Sequence, residues 1–152
     1  AAGAALTNLD PFIDGVAKLP LVAQVDPSLT WVMPSQVWRD VLKLKDGNSR
    51  PLLNDVPTPT TPRSIFGVPV KLTDAISTTR TVGANTDCAT AYVGAWRRGM
   101  FFGDRSNGVS IAINPFSGWS TGQISIRVMR RMGILVAIPG CFTKVTGIRV
   151  TP

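Results

Sequence analysis

Asp10 and Asp14 stand one helical turn apart, a spacing at which two carboxylates can divide the acid and base roles of a proton-transfer reaction. Asp10 also precedes Pro11 at the start of a predicted helix, so the pair serves the positive end of that helix's dipole, and this is the reading we adopt. Other routes to chemistry close early. The chain has no histidine, so neither a Ser-His-Asp nor a Cys-His mechanism can be built, and the usual proton carrier near neutral pH is missing. Cys141 has no imidazole to activate it, and Cys88 lies too far from it in sequence to form a metal knuckle. Both are expected as buried thiols. The glycines between 94 and 103 lack the Lys-Ser/Thr of a phosphate-binding loop and the spacing of a dinucleotide fingerprint. No catalytic, metal or cofactor site is expected.

What remains is charge. All nine acidic residues are Asp, while the sixteen basic residues include eleven Arg, giving a net charge of +7. Such a surface attracts polyanions, because neutralised phosphates release counterions. The clusters are Arg97-Arg98 and Arg127, Arg130, Arg131. Arginine's planar fork suits bidentate pairing with carboxylates as well as with phosphates, so a protein interface is as good a destination as nucleic acid. The interleaved aromatics of a single-strand-binding sheet are absent, which makes a small basic nucleic-acid-binding domain the weaker alternative.

These side chains need elements to carry them. Residues 30 to 53, TWVMPSQVWRDVLKLKDGNSRPLL, read as an apolar strand, an amphipathic helix and a turn. Trp31, Val32 and Met33 are β-prone; Pro34-Ser35 supplies a turn and an N-cap hydroxyl, so a helix begins near Gln36. Val37, Trp38, Val41, Leu42 and Lys45 share one predicted face, and Gln36, Arg39, Asp40 and Lys43 the other. Lys43 and Lys45 complement the last carbonyls, and Asp46-Gly47-Asn48 offers a left-handed stop. Upstream, Asp10-Pro11 opens a helix whose stripe of Phe12, Ile13, Val16 and Ala17 ends at Pro20. Downstream, the segment 54–64 (NDVPTPTTPRS) is an exposed loop stiffened by its prolines, followed by a strand over 65–70 and a polar loop ending at 83–87. Strands follow at 89–95, 100–103 and 109–114, the last two joined by an Asn107-Gly108 hairpin turn. Ile124, Ile126 and Val128 form a one-sided strand, and a bulge at Arg130-Arg131 re-aims the chain before 134–138. Pro139-Gly140 then turns the chain and 142–150 returns. No apolar run approaches membrane-spanning length. A chain of 152 residues suits one compact domain or two small lobes.

Taken in order, these pieces resemble the major capsid proteins of tailed phages, the Hong Kong 97-type fold. A strand ending Val32-Met33-Pro34 precedes a helix, then come LKDGNSRPL at 44–52, Phe66-Gly67-Val68-Pro69-Val70, AYVGAW at 91–96, and a closing β-ribbon over 130–145. The resemblance implies an α+β fold with a mixed or antiparallel sheet flanked by two or more helices and a C-terminal β-ribbon. It further implies an axial lobe over 1–118 and part of a peripheral lobe over 119–152. The family's N-terminal arm, extended loop and spine helix have no counterpart here, so the chain is expected to be a C-terminal portion of a longer subunit.

The function so implied is structural and non-enzymatic: a subunit of an icosahedral phage or prophage capsid, assembled in the bacterial cytoplasm into pentamers and hexamers around double-stranded DNA. Ring contacts of this kind are heterologous, one edge of a subunit meeting a different edge of the next. The expected contact residues are Arg97, Arg98 and Arg105, with Asn54, Pro57, Pro59, Pro62 and Arg63 of the proline-rich loop. Expected partners are other copies, scaffold, portal and decoration proteins, and packaged DNA held by non-specific electrostatics, with no membrane. Some relatives carry a covalent Lys-Asn cross-link; the stretch 118–128 contains no Asn, which argues against it here. The shell protein of an encapsulin-type nanocompartment shares the architecture and is the alternative reading.

Overall fold

The computed structural model describes residues 3–53 and 62–150. In chain order its elements are β1 (Ala4–Ala5), α1 (Asp10–Ala17), α2 (Leu21–Gln24), β2 (Leu29–Met33), α3 (Ser35–Leu42), β3 (Ser64–Ile65), β4 (Val68–Leu72) and β5 (Arg80–Val82). There follow β6 (Asn85–Ala95), α4 (Trp96–Gly99), β7 (Met100–Gly118), β8 (Gln123–Val136) and β9 (Phe142–Arg149). Contacts divide the chain into two units, one running up to Gly99 and resuming at Ile138, the other Met100–Ala137.

The first unit is a mixed seven-stranded sheet in the order β1-β9-β6-β2-β4-β3, with β5 paired to β6. β6 is its axis: Val93 lies opposite Trp31 of β2 on one side, and Ala91 opposite Val145 of β9 on the other, both antiparallel. β2 and β4 run parallel, Trp31 opposite Val70. Leu29, Trp31 and Met33 alternate into the core as a half-buried strand requires, and with Val93, Ala91 and Ile148 they form one buried cluster. α1 and α3 contribute Phe12, Val37, Trp38 and Val41 to the same cluster. Phe12 meets Trp31 edge-on, ring centroids 5.2 Å apart, and each such fully buried side chain is worth about 1.5–3 kcal/mol.

The helices obey local chemistry with a shift of register. α1 is capped at Leu9, so Asp10 is its first residue and Pro11 its second, where a missing N–H costs nothing. Its buried side is Phe12 and Gly15, while Ile13 of the predicted stripe faces solvent at 48% exposure. Gly15 sits where α1 touches the sheet: a Cβ there would lie 3.0 Å from Trp31 Cη2 and 3.1 Å from Val145 Cγ2. α3 starts at Ser35, one residue early, after Pro34 as N-cap with no side-chain cap bond; the Ser35 hydroxyl instead donates to Asp74 Oδ1 at 3.4 Å. Val37, Trp38 and Val41 are buried as predicted, but so is Asp40, beside Arg39 at 3.3 Å. The helix stops at Leu42, so Lys45 lies beyond it, bridged to Pro51. The turn between them is held by Asp46 Oδ1, which accepts from the N–H groups of Asn48 and Arg50 at 2.9 and 2.8 Å, and its left-handed residue is Ser49 rather than Gly47 or Asn48.

One predicted strand and one predicted loop prove to be hairpins. The run 65–70 is broken by Phe66-Gly67, both at positive φ, into β3 and β4. The expected loop at 83–87 is a tight turn at Gly83-Ala84, Val82 opposite Asn85, because β6 begins at Asn85.

The second unit is a two-stranded ribbon, β7 against β8. The Asn107-Gly108 pair makes no hairpin: β7 runs through it, and the register passes from Arg105↔Arg131 to Ser110↔Met129, so residues 106–109 stand opposite Arg130 alone. The irregularity expected at Arg130-Arg131 is thus carried by the facing strand. Gly108, at φ +116, supplies the conformation such a bulge needs. The ribbon expected over 130–145 is displaced as well. Residues 132–136 pair with β7, and the 3-10 turn Pro139–Cys141 sends the chain back into the first unit, where β9 lies between β1 and β6. Gly118, the expected end of the axial lobe, is the last residue of β7; contacts divide the chain at 99/100 and 137/138.

Candidate subunit interface

Arg97 and Arg98 are presented by a built turn. Trp96 opens α4 directly after β6 with its indole pinned: Nε1 donates to the Thr30 carbonyl at 2.9 Å, and the ring packs on Phe142 with centroids 5.2 Å apart. The backbone N–H of Arg97 donates to Ser28 Oγ at 3.3 Å, and the hydroxyl and N–H of Ser28 both donate to Asp26 Oδ1, at 2.6 and 2.8 Å. These bonds from Ser28 hold the Asp26 carboxyl below the usual carboxylate range, and the charges of Arg98 and Arg97 add to it. Both guanidiniums are exposed and lie outside every salt bridge among the described residues, on a backbone fixed from two strands.

The other expected contact residues are not brought to that turn. Pro62 and Arg63 are exposed ahead of β3, at the edge of the sheet opposite β1, with the Arg63 carbonyl accepting from Val70 N–H at 2.8 Å. Asn54, Pro57 and Pro59 lie outside the described residues. Arg105 belongs to the ribbon, directly opposite Arg131.

Apolar surface is what the sequence reading missed. In the first unit Leu21 and Val25 of the α2 segment are 73% and 75% exposed, signalled in sequence only by an apolar run after Pro20. In the ribbon, β8 alternates as predicted, and its partners extend the pattern: Ile111 lies opposite Val128 and Ile113 opposite Ile126. Phe102 and Ile134 continue this face, which Asp104 and Arg130 interrupt with an ion pair at 2.8 Å. All these apolar side chains are exposed. A two-stranded ribbon is marginal by itself, so such a face is built to be covered.

The Asp10–Asp14 pair is exposed on α1, and the shallow depression between Pro34, Ser35, Asp74 and Thr79 holds a single carboxylate. Among the described residues no group of three His, Cys, Asp or Glu side chains is placed to hold a metal, and no helix is long and apolar enough to cross a membrane. Cys88 and Cys141 are buried free thiols.

A family model described as the phage capsid family matches residues 4–147. The chain belongs to the phage capsid family. Its fold is also that of solved capsid chains. One, titled as the capsid of an empty GTA particle computed with C5 symmetry, superposes with a TM-score of 0.75 at 22% identity over 97% of this chain and 48% of the other. The capsid of the native GTA particle gives 0.76 at 22% identity, over 97% of this chain and 47% of the other. A chain from Gordonia phage Cozz gives 0.58 at 20% identity, over 93% and 45%. This capsid-family chain therefore spans about half the length of the capsid chains it matches. Comparison with curated proteins finds no match.

Proposed function

We propose that this chain is the surface-forming part of a capsid subunit that packs beside copies of itself in pentamers and hexamers, closing an icosahedral phage or prophage shell around double-stranded DNA. Membership of the phage capsid family over residues 4–147 carries the reading. The sheet unit is taken as the axial lobe and the ribbon Met100–Ala137 as its portion of the peripheral lobe, a division that follows the contacts rather than residue 118. The subunit's work is done by edges and not by catalysis. Arg97 and Arg98 on their pinned turn, Arg105 on the ribbon, and Pro62 and Arg63 with the rest of the proline-rich loop are its contact residues. The net charge of +7 favours packaged DNA as a non-specific electrostatic partner. Scaffold, portal and decoration proteins are further partners, and the virion shell, assembled in the host cytoplasm, is its location. Sedimentation of the purified complete gene product tests this: fast-sedimenting closed particles are expected, and a species that stays monomeric at every concentration rejects it.

A further inference from the structure

The ribbon carries a second face, opposite its apolar one, whose composition costs stability without serving the chain itself. Arg105 and Arg131 stand directly opposite each other across the two strands, with Arg127 further along the same side of β8. Like charges so placed repel, and none of the three has a salt bridge among the described residues; Asp104, the ribbon's single carboxylate, is engaged with Arg130 on the other face. Next to the arginine pair, Gly103 lies opposite Gly133. Neither glycine has a positive φ, and a Cβ on either would meet only the other's carbonyl oxygen, at 4.0 Å. A Cβ at either position would thus be accommodated by the chain itself, and bare backbone in a strand leaves room for a close approach from outside. Beyond the glycines comes the apolar pair Phe101 and Leu135, both exposed.

The sequence assigns the Asp10–Asp14 pair to the dipole of α1 and to no reaction. On α1 both aspartates are exposed, with Ile13 and Ala17 exposed beside them, and the Asp14 carboxylate has no hydrogen-bond or salt-bridge partner among the described residues. The Asp10 carboxylate accepts from Asn8 Nδ2 at 2.5 Å, and Lys18 closes the acidic stretch one turn on. Side chains four apart on a helix start about 5–6 Å from each other, and directly opposed side chains on paired strands about 4.5–5.5 Å apart, so two carboxylates and two guanidiniums match in spacing.

We propose that the outer face of α1 in one copy docks on the Arg105–Arg131 face of the ribbon in a neighbouring copy, its aspartates on the arginines, its backbone over Gly103 and Gly133, and Ile13 against Phe101 and Leu135. This rests on the capsid reading and names one heterologous contact within it. Duplex DNA is the less suitable occupant, because a phosphate backbone offers nothing to Phe101 and Leu135.

The test is charge reversal in the complete gene product. Asp14→Arg and Arg131→Asp are each expected to cut the particle yield about tenfold, and the combined variant to restore it to near wild type. Gly133→Val is the companion variant, since a Cβ there meets nothing closer than the Gly103 carbonyl oxygen at 4.0 Å; an intact thermal transition with a lowered yield is expected. A combined variant no better than either reversal, or normal particles from Gly133→Val, overturns the contact while leaving the capsid reading standing. Normal shells that lose only retention of a 30-base-pair duplex in Arg105→Gln/Arg131→Gln overturn it in favour of phosphate. Absence of particles from the wild type overturns both.

Discussion

Replacing Gly15 by alanine sets two well-measured effects against each other. An interior helix position favours Ala over Gly by about 1 kcal/mol, so secondary structure alone makes the variant more stable. Packing opposes it. The added methyl would sit 3.0 Å from Trp31 Cη2 and 3.1 Å from Val145 Cγ2. Neither neighbour can withdraw easily, Trp31 being fully buried and Val145 nearly so. Overpacking of this kind costs about 1–3 kcal/mol, so the packing term wins by about 1 kcal/mol and the chain is destabilised. Urea denaturation of the 152-residue chain reads this directly. With a slope of about 1–3 kcal/mol per molar, the midpoint falls by about 0.3–1 M at unchanged slope. Val145→Ala opens the space, so the double variant should show a favourable coupling of about 1 kcal/mol. A raised midpoint for Gly15→Ala, or additive behaviour with Val145→Ala, refutes the claim that α1 is seated on the sheet at this residue.

Four further outcomes follow from the geometry. Arg97→Ser with Arg98→Ser should lower particle yield from the complete gene product while leaving the thermal transition within about 0.5 kcal/mol, because both side chains are exposed and outside any salt bridge among the described residues; unchanged yield counts against their role. Trp96→Phe retains a ring to pack on Phe142 but loses the 2.9 Å bond to the Thr30 carbonyl, a loss of about 1 kcal/mol in urea denaturation, and no loss means the bond does not anchor the turn. The Arg149 guanidinium, bonded to Asp87 at 3.0 Å, holds that carboxyl below its ordinary range, so the folded chain binds this proton less readily than the unfolded one. The contribution is complete above the ordinary carboxylate pKa and disappears as pH falls through the lowered one; melts over about pH 5 to 2 should therefore show a flatter acid limb for Asp87→Asn, and an identical limb refutes the linkage. Cys88 and Cys141 should resist a thiol-specific disulfide reagent in the native chain and react fully in denaturant, immediate native labelling being the contrary result.

The fold was most legible where one local signal had no competitor. The Trp31–Met33 strand followed by a helix carrying Val37, Trp38 and Val41 needed only β-propensity and helical period, and both elements are present, the strand beginning two residues earlier at Leu29 and the helix stopping at Leu42, short of the predicted Lys45. Failures came where a turn residue admits two structures. Asn107-Gly108 is as good in a bulge as in a hairpin, and only the pairing of 132–136 with 100–104, a contact between distant segments, decides for the bulge. Phe66 at positive φ was invisible because an aromatic residue seldom adopts that conformation, so an apolar run concealed a hairpin. Arg97 and Arg98 were legible as a pair of like charges, but Trp96, Ser28 and Asp26, which hold their turn, are brought together only by the β2–β6 pairing and the chain around it. In sequence Arg127, Arg130 and Arg131 form one cluster. Strand alternation instead sends Arg130 to the opposite face from Arg127 and Arg131, and register adds Arg105.

The central claim is that these residues act through their surfaces, as part of a tile in a closed shell. Electron cryomicroscopy of the complete gene product tests it most directly. The expected result is an icosahedral shell whose repeating density accepts the sheet order β1-β9-β6-β2-β4-β3 with its ribbon at contacts between copies. A discrete monomer, with the ribbon's two faces and the Arg97-Arg98 turn exposed to solvent, would contradict it.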